Sequence, residues 1–155
     1  LAMAGNANGS AGMTSQKPSS LFRQFFSAPN TIGAISPSGK RLSRAMVRQV
    51  DWSGPRTVAE FGPGTGAITR YILEKVEDQH DFFAVEINEG MVAAMAKRFP
   101  AVEVHHESAT DIKAICQQRG TPRLDAVISG LPWTVFSDQL QEDIIQAMLT
   151  VKPNR

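Results

Sequence analysis

From Thr57 onward, short apolar runs alternate with segments in which apolar residues recur every three or four positions. The short runs predict buried strands, and the recurring pattern predicts one face of a helix. The predicted strands are 57–61, 82–87, 102–105 and 124–129. Strands and helices that alternate at this spacing require parallel pairing through right-handed crossovers, with helices on both faces. The sequence therefore predicts an α/β fold with a doubly wound, Rossmann-like parallel sheet.

The predicted helices are defined by the apolar residues of their expected buried faces. Before the first strand, Leu42, Met46 and Val50 recur at every fourth position. The faces of the later helices comprise Ile68, Tyr71, Ile72 and Val76; Met91, Val92, Met95 and Phe99; Ile112, Ile115 and Cys116; and Leu140, Ile144, Ile145, Met148 and Leu149. Each set follows one predicted strand, as a doubly wound sheet requires.

The 155 residues suit one domain, and 42% hydrophobic with 20% charged residues excludes a wholly disordered chain. We expect residues 1–20, rich in Ala, Gly, Asn and Ser, to form a flexible tail, and residues 21–155 to form the domain. A secretory signal pattern and a run of ~20 apolar residues are both missing, so we expect a cytoplasmic protein. The single cysteine, Cys116, excludes an internal disulfide and a cysteine-built metal site, and we expect no metal.

The net charge of +1 hides an uneven distribution. Residues 1–50 contain six basic residues and no acid, whereas residues 51–155 contain ten basic residues and all fifteen acids. A basic segment joined to an acidic body is typical of contact with a polyanion, either nucleic acid or an anionic lipid surface. A solvated basic helix face would give the same count, so this distribution alone does not decide between them.

The strongest motif is a glycine-rich loop between the first strand and its helix. It reads Glu60-Phe61-Gly62-Pro63-Gly64-Thr65-Gly66. Glycines there allow a tight turn and a close approach of the backbone to a ligand at the helix N-terminus. Glu86 ends the second strand, 22 residues after Gly64, where a carboxylate can accept hydrogen bonds from both hydroxyls of a ribose. The loop and the acid together predict a nucleoside-binding crevice.

A dinucleotide site is the alternative interpretation of the same loop. Gly62 and Gly64 followed by Ala67 satisfy the relaxed G-x-G-x-x-G/A fingerprint. Glu60 argues against it, because a negative charge beside a pyrophosphate is unfavourable and suits a cationic ligand instead. Gly66 adds a closely spaced glycine that a dinucleotide loop does not need.

The segment 60–66 resembles motif I of the class I S-adenosylmethionine (SAM) methyltransferases. The resemblance implies that the loop passes the methionine part of SAM, that Glu86 binds the ribose, and that Ile87 packs on the adenine. Ser108 and Ala109 are similar to the family segment at the adenine edge, although Glu107 departs from the small residue usual before it. The resemblance also implies SAM as the cofactor.

The fourth strand leads into the segment expected to line the acceptor pocket. This segment reads Ser129-Gly130-Leu131-Pro132-Trp133. Amino-group methylases of adenine carry Asn or Asp where this chain has Gly130, and a glycine cannot supply that acceptor, so RNA is disfavoured. The indole of Trp133 could stack on a base, attract a cationic amine, or serve only as a hydrophobic cover.

Ser-Gly-Leu-Pro at 129–132, with Phe25, Phe26 and the segment 33–38, resembles the bacterial phospholipid N-methyltransferases, relatives of the ribosomal RNA adenine dimethyltransferases. The resemblance implies methylation of the phosphatidylethanolamine amine, or of another amine, and an N-terminal segment that contacts an anionic membrane surface. The alternatives are an RNA adenine methyltransferase and a non-catalytic SAM-binding module.

Class I methyltransferases usually have seven strands, whereas this sequence predicts four and a final helix. The resemblance therefore implies that the chain lacks the last third of the fold. The fourth strand would then have an open edge, which is prone to pair with another chain. We expect a dimer through this edge or low stability.

Overall fold

The computed structural model describes residues 37–54 and 56–153. The predicted tail, Phe25, Phe26 and most of the segment 33–38 lie outside these ranges. The helices are α1 (Pro37–Arg48), α2 (Thr69–Leu73), α3 (Glu89–Arg98), α4 (Ile112–Arg119) and α5 (Asp138–Leu149). The strands are β1 (Arg56–Phe61), β2 (His80–Val85), β3 (Glu103–His105) and β4 (Ala126–Ser129). Two short 3-10 helices span Ala109–Asp111 and Trp133–Val135.

The four strands form one parallel sheet in the order β3-β2-β1-β4. Phe61, the last residue of β1, aligns with Val85 of β2 and with Ser129 of β4. Backbone pairing continues one residue further, because the N–H groups of Gly62 and Gly130 donate to the carbonyls of Val85 and Phe61. The predicted α/β sheet is confirmed, and its register brings three strand ends to one edge.

Residues of β1 point alternately to the two faces of the sheet, and each face has its own core. Val58 packs with Val47 of α1, with Tyr71 and Ile72 of α2, and with Ile128 of β4. On the opposite face, two residues of β1 pack with residues of α4 and α5. The buried members of this second core are Ala59, Phe61, Phe83, Val85, Ile112, Ile115, Cys116, Leu124, Ile144 and Val151. The sheet is therefore covered on both sides, as the sequence predicts.

The predicted apolar face of α1 is wrong at Leu42, which is 63% exposed. The helix instead buries Ser43 and Val47, which also lie one turn apart. A buried serine is tolerated because its hydroxyl donates to the carbonyl of Gly39 at 2.9 Å. Val47 packs on the β1 core, so α1 is turned with Leu42 toward solvent.

The amino ends of β2 and β3 are tied together by Arg119 at the end of α4. Its guanidinium donates to Asp81 at 2.6 Å and forms an ion pair with Glu103. The guanidinium carbon also lies 4.1 Å from the ring centroid of Phe83. This network lies at the amino ends of the strands, whereas the glycine loop lies at their carboxyl ends, and it holds the short strand β3 in place. None of the described helices has both the length and the apolar character that a membrane crossing requires.

Candidate active site

The loop between β1 and α2 depends on glycine at three positions with left-handed backbone. The φ angles are +67° at Gly62, +55° at Gly64 and +88° at Gly66. A Cβ atom on Gly66 would lie 2.2 Å from the ring of Phe99, and one on Gly62 would lie 2.6 Å from the side chain of Leu131. No described atom lies within 4 Å of such an atom on Gly64. The loop is therefore packed at both ends and open in the middle, where a ligand can approach the backbone.

Glu86 is held beside this loop at the end of β2. The residue is 2% exposed, and its two carboxylate oxygens accept from the N–H groups of Gly64 at 3.2 Å and Asn88 at 2.9 Å. Each oxygen has a second lone pair, so the carboxylate can still accept from hydroxyl groups of a ligand. The acid and the loop predicted to meet are therefore in direct contact.

Ile87 follows Glu86 and is 45% exposed. Its backbone carbonyl lies 3.1 Å from Nε2 of His106. His105, which precedes His106 at the end of β3, packs edge-on against the ring of Phe83, and the ring centroids are 5.5 Å apart. Ile87 therefore presents an apolar surface at the crevice, whereas His105 packs within the sheet.

Ser108 and Ala109 lie after β3, where the chain enters a 3-10 helix. The Ser108 hydroxyl oxygen accepts from the hydroxyl of Thr110 at 2.8 Å and from its N–H at 3.3 Å. Ser108 therefore caps the 3-10 helix, and its own hydroxyl hydrogen stays available for a ligand. Ala109 packs against the core on the α4 and α5 face.

Glu60 is completely buried beneath the loop. One carboxyl oxygen accepts from the hydroxyl of Thr69 at 2.6 Å, and the other has no hydrogen-bond partner among the described residues. The pKa of Glu60 is raised to about 7: burial is the main cause, the nearby carboxylate of Glu86 adds to the rise, and the hydrogen bond from Thr69 opposes it. The charge expected from the sequence is therefore present on only part of the molecules at neutral pH.

The end of β4 is shaped by the hydrogen bonds of Ser129 and by the close approach of Gly130 to the glycine loop. The hydroxyl oxygen of Ser129 accepts from the indole N–H of Trp133 at 3.1 Å and from the N–H of Leu131 at 3.3 Å. A Cβ atom on Gly130 would lie 2.8 Å from the backbone carbonyl oxygen of Gly62. Glycine is therefore required at position 130, because a backbone oxygen cannot move aside as a flexible side chain can. Pro132 precedes the 3-10 helix on which the partly buried Trp133 stands.

The structure brings most of the predicted site residues to one edge of the sheet. The loop contacts Glu86 through Gly64, and it contacts the β4 end through Gly62. Sequence reasoning missed Thr69 and Asn88, which bind the two acids. The position of Asn88 immediately before a predicted helix is a capping signal that could have been used. Thr69 gives no comparable signal. In the described ranges, no three His, Cys, Asp or Glu side chains are grouped so as to hold a metal ion.

Comparison with known sequences agrees with this geometry. A family model described as "Methyltransferase domain" matches residues 58–153. The ornithine lipid N-methyltransferase of Singulisphaera acidiphila is 33% identical over 131 residues, which cover 83% of this chain and 68% of that relative. The ribosomal RNA small subunit methyltransferase A of Dichelobacter nodosus is 27% identical over 101 residues, covering 65% of this chain and 37% of that relative.

Solved structures show the same fold at low sequence identity. The sugar N-methyltransferase KedS8 from Streptoalloteichus matches with a TM-score of 0.57 at 20% identity, covering 97% of this chain and 56% of that chain. The O-methyltransferase from Bacillus cereus matches with a TM-score of 0.58 at 18% identity, covering 84% of this chain and 59% of that chain. TrmN from Thermus thermophilus matches with a TM-score of 0.56 at 18% identity, covering 74% and 35%. This chain thus spans about a third to three fifths of these solved chains. With the family match and the fold in agreement, the chain belongs to the methyltransferase domain family, and the predicted resemblance to class I methyltransferases is confirmed.

Proposed function

We propose that this protein transfers a methyl group from SAM to the amine nitrogen of a lipid. The observation that carries the proposal is the contact between the open middle of the glycine loop and the buried acid, made by the Gly64 N–H and the Glu86 carboxylate. The contact lies where the carboxyl ends of β1 and β2 meet, the usual ligand position in an open α/β sheet.

The residues around the crevice fit SAM. Glu86 has lone pairs available for the two ribose hydroxyls, and the exposed Ile87 offers an apolar surface to the adenine. Ser108 keeps a hydroxyl hydrogen for the adenine edge beside Ala109. Glu60 has one buried oxygen without a described partner, which suits a cation in the loop. When bound, SAM would supply a sulfonium methyl group: a neutral amine nitrogen would attack this carbon, the carbon–sulfur bond would break to release S-adenosylhomocysteine, and the ammonium product would lose its proton to solvent.

The chain contributes mainly position at the acceptor end. Ser129 fixes Leu131 and Trp133 through its hydroxyl, so the 131–133 segment holds a defined shape beside the loop. Alignment of acceptor, methyl group and sulfur can supply roughly 7–11 kcal/mol of the barrier. A neutral amine needs no strong base, and we assign none.

Two observations favour a lipid amine over adenine. The close approach of Gly130 to the Gly62 carbonyl oxygen leaves no room for the Asn or Asp side chain used by adenine methylases. The relative named for an ornithine lipid is also more similar to this chain, and over more residues, than the relative named for ribosomal RNA. Within this class we propose the phosphatidylethanolamine headgroup as the acceptor.

The cofactor assignment is tested by calorimetric titration of SAM into the wild type and into Glu86→Gln and Glu86→Ala. Loss of bonds to a charged acceptor costs about 1.5–3 kcal/mol, so we expect at least tenfold weaker binding by both variants. Glu89→Gln is the matched control, because Glu89 is a nearby acid that is exposed on α3. Unchanged affinity in the Glu86 variants would refute the ribose assignment.

The acceptor assignment is tested by transfer of a labelled methyl group to vesicles containing phosphatidylethanolamine or ornithine lipid, and to ribosomal RNA. Trp133→Ala should lower kcat more than it weakens SAM binding, and Trp133→Phe should keep the aromatic face while losing the bond to Ser129. Transfer to RNA alone would favour the adenine reaction. SAM binding without transfer to any acceptor would favour a non-catalytic binding module.

We also propose that β4 pairs with another chain. Among the described strands β4 is hydrogen-bonded only to β1, so its second edge has no strand partner within residues 37–54 and 56–153, and such an edge can pair with another chain. Light scattering should show a dimer, or else urea unfolding should show low stability. A stable monomer would contradict this proposal.

A further inference from the structure

A basic cavity lies between α1 and α2. Its volume is about 120 Å³. The residues that line it are Arg44, Val47, Arg48, Tyr71, Glu74 and Lys75. A water molecule takes up about 30 Å³ of the liquid, so this cavity can admit a tetrahedral anion of five heavy atoms. We call it the α1–α2 basic pocket.

Tyr71 of the pocket lining has a guanidinium group from each of two arginines against its ring, and of these only Arg44 also lines the pocket. The Cζ atoms of Arg44 and Arg70 each lie 5.1 Å from the ring centroid of Tyr71. Tyr71 is 2% exposed, so the ring is a fixed support for both cations. Cation–π contacts orient the two guanidinium groups but do not neutralise them. The ring contact therefore leaves the positive charge of Arg44 at the pocket without a counter-charge of its own.

The positive charge of the pocket is only partly balanced. Three cations line it against one carboxylate, that of Glu74. Across residues 37–54 and 56–153, the ion pairs involve none of Arg44, Arg48 and Lys75. Residues 1–50 of the sequence contain no Asp or Glu. The excess of positive charge in the described lining therefore favours a bound anion.

The chemistry of the lining favours a phosphate group. Arginine presents a planar set of donors that matches phosphate oxygens in pairs, and lysine adds a compact positive charge. Arg41, also exposed, lies one and two turns before Arg44 and Arg48, so the three form a basic row along α1. An exposed row of this kind can lie along a flat anionic surface.

We propose that the α1–α2 basic pocket binds the phosphate group of an anionic membrane lipid, and so places this face of the domain on the bilayer surface. The choice of a lipid over RNA rests on the proposed function. The pocket itself does not depend on methyl transfer, because its residues lie outside the glycine loop and the end of β4. Binding of vesicles and transfer of methyl groups can therefore fail separately.

The test is sedimentation of the full chain, without SAM, with phosphatidylcholine vesicles that contain phosphatidic acid. The double variant Arg44→Gln/Arg48→Gln should lower the partition coefficient about thirtyfold, at about 1 kcal/mol per basic residue near an anionic surface. Arg48→Gln/Lys75→Gln should give a similar loss and leaves the Arg44 contact with Tyr71 in place. The matched control is Lys97→Gln/Lys113→Gln, which removes the same charge from exposed positions on α3 and α4 and should change binding less than threefold.

Three further arms separate the sources of the effect. Vesicles of equal charge that contain oleate instead of phosphatidic acid should bind more weakly, and equal binding would overturn a phosphate site. Inorganic phosphate at millimolar concentration should compete with the vesicles, and no competition would also count against it. Equal losses in the pocket and control variants would show an effect of net charge alone. A third arm measures binding to an RNA oligonucleotide. If the wild type binds the RNA but not the vesicles, and the pocket variants lose RNA binding, the partner is RNA and the lipid proposal is overturned.

Discussion

Replacing Glu60 by glutamine should remove a pH dependence that this buried carboxyl gives to the stability of the fold. Burial raises the pKa of Glu60 from 4.5 to about 7. Between these values the folded chain holds a proton on Glu60 that the unfolded chain has released. The contribution of Glu60 to the free energy of unfolding is therefore largest below about pH 4.5, and it is lost as the pH rises through about 7.

The size of the effect follows from the pKa difference. At about 1.4 kcal/mol for each pKa unit, the contribution of Glu60 across the whole window is ~3 kcal/mol. Glutamine cannot ionise, yet its amide oxygen can still accept the hydrogen bond from Thr69. As the pH rises from acid to alkaline, the wild type should therefore lose ~3 kcal/mol of unfolding free energy relative to Glu60→Gln.

Urea unfolding followed by tryptophan fluorescence, at several pH values from about 5 to 8.5, measures this difference. Glu89→Gln is the control, since it removes an exposed carboxylate and should follow the wild type across the whole range. Parallel curves for the wild type and Glu60→Gln would refute the reasoning, because they would mean that Glu60 ionises in the folded chain as it does in water.

Four further predictions follow from the described contacts. SAM should bind the wild type more tightly as the pH rises through about 7, because a cation favours ionised Glu60, and calorimetry should show this trend weakened in Glu60→Gln. Gly66→Ala should destabilise the fold by about 1–3 kcal/mol more than Gly64→Ala in urea unfolding, because only the former places a methyl group against a packed ring; equal losses would contradict the packing argument. Arg119→Met should cost about 1–2 kcal/mol, measured in the same way, through the loss of its ring contact and charged hydrogen bonds. Asn88→Ala should cost about 1 kcal/mol in thermal unfolding, because the Asn88 side chain caps α3.

Local patterns in the sequence were sufficient for the sheet and for much of the site. The alternation of strand and helix periods predicts the parallel sheet, and the glycines at 62, 64 and 66 predict a tight turn, which the structure forms with left-handed backbone at all three positions. The contact of this loop with Glu86 follows as well, because neighbouring parallel strands end at the same edge. These features follow from local sequence patterns together with the rule that neighbouring parallel strands end at the same edge of a sheet.

Other features were decided only by tertiary packing. Periodicity alone favours Leu42 on the buried face of α1, but the fit of Val47 into the β1 core turns Leu42 outward. The sequence gives Glu60 a negative charge, whereas its burial raises the pKa to about 7. From the sequence, Gly130 is notable only for lacking the amide or carboxylate of adenine methylases. The structure shows that a side chain at this position would collide with the carbonyl oxygen of Gly62.

The sequence by itself thus determined the order of strands and helices along the chain, the position of the tight glycine turn and the identity of the acid beside it, because backbone preference and side-chain period are local properties. The tertiary structure decided which face of α1 is buried, how Glu60 titrates and how Arg44, Arg48 and Lys75 come to share one pocket. The physical reason is that burial, pKa and charge clustering depend on distances between atoms far apart along the chain, and folding alone sets those distances.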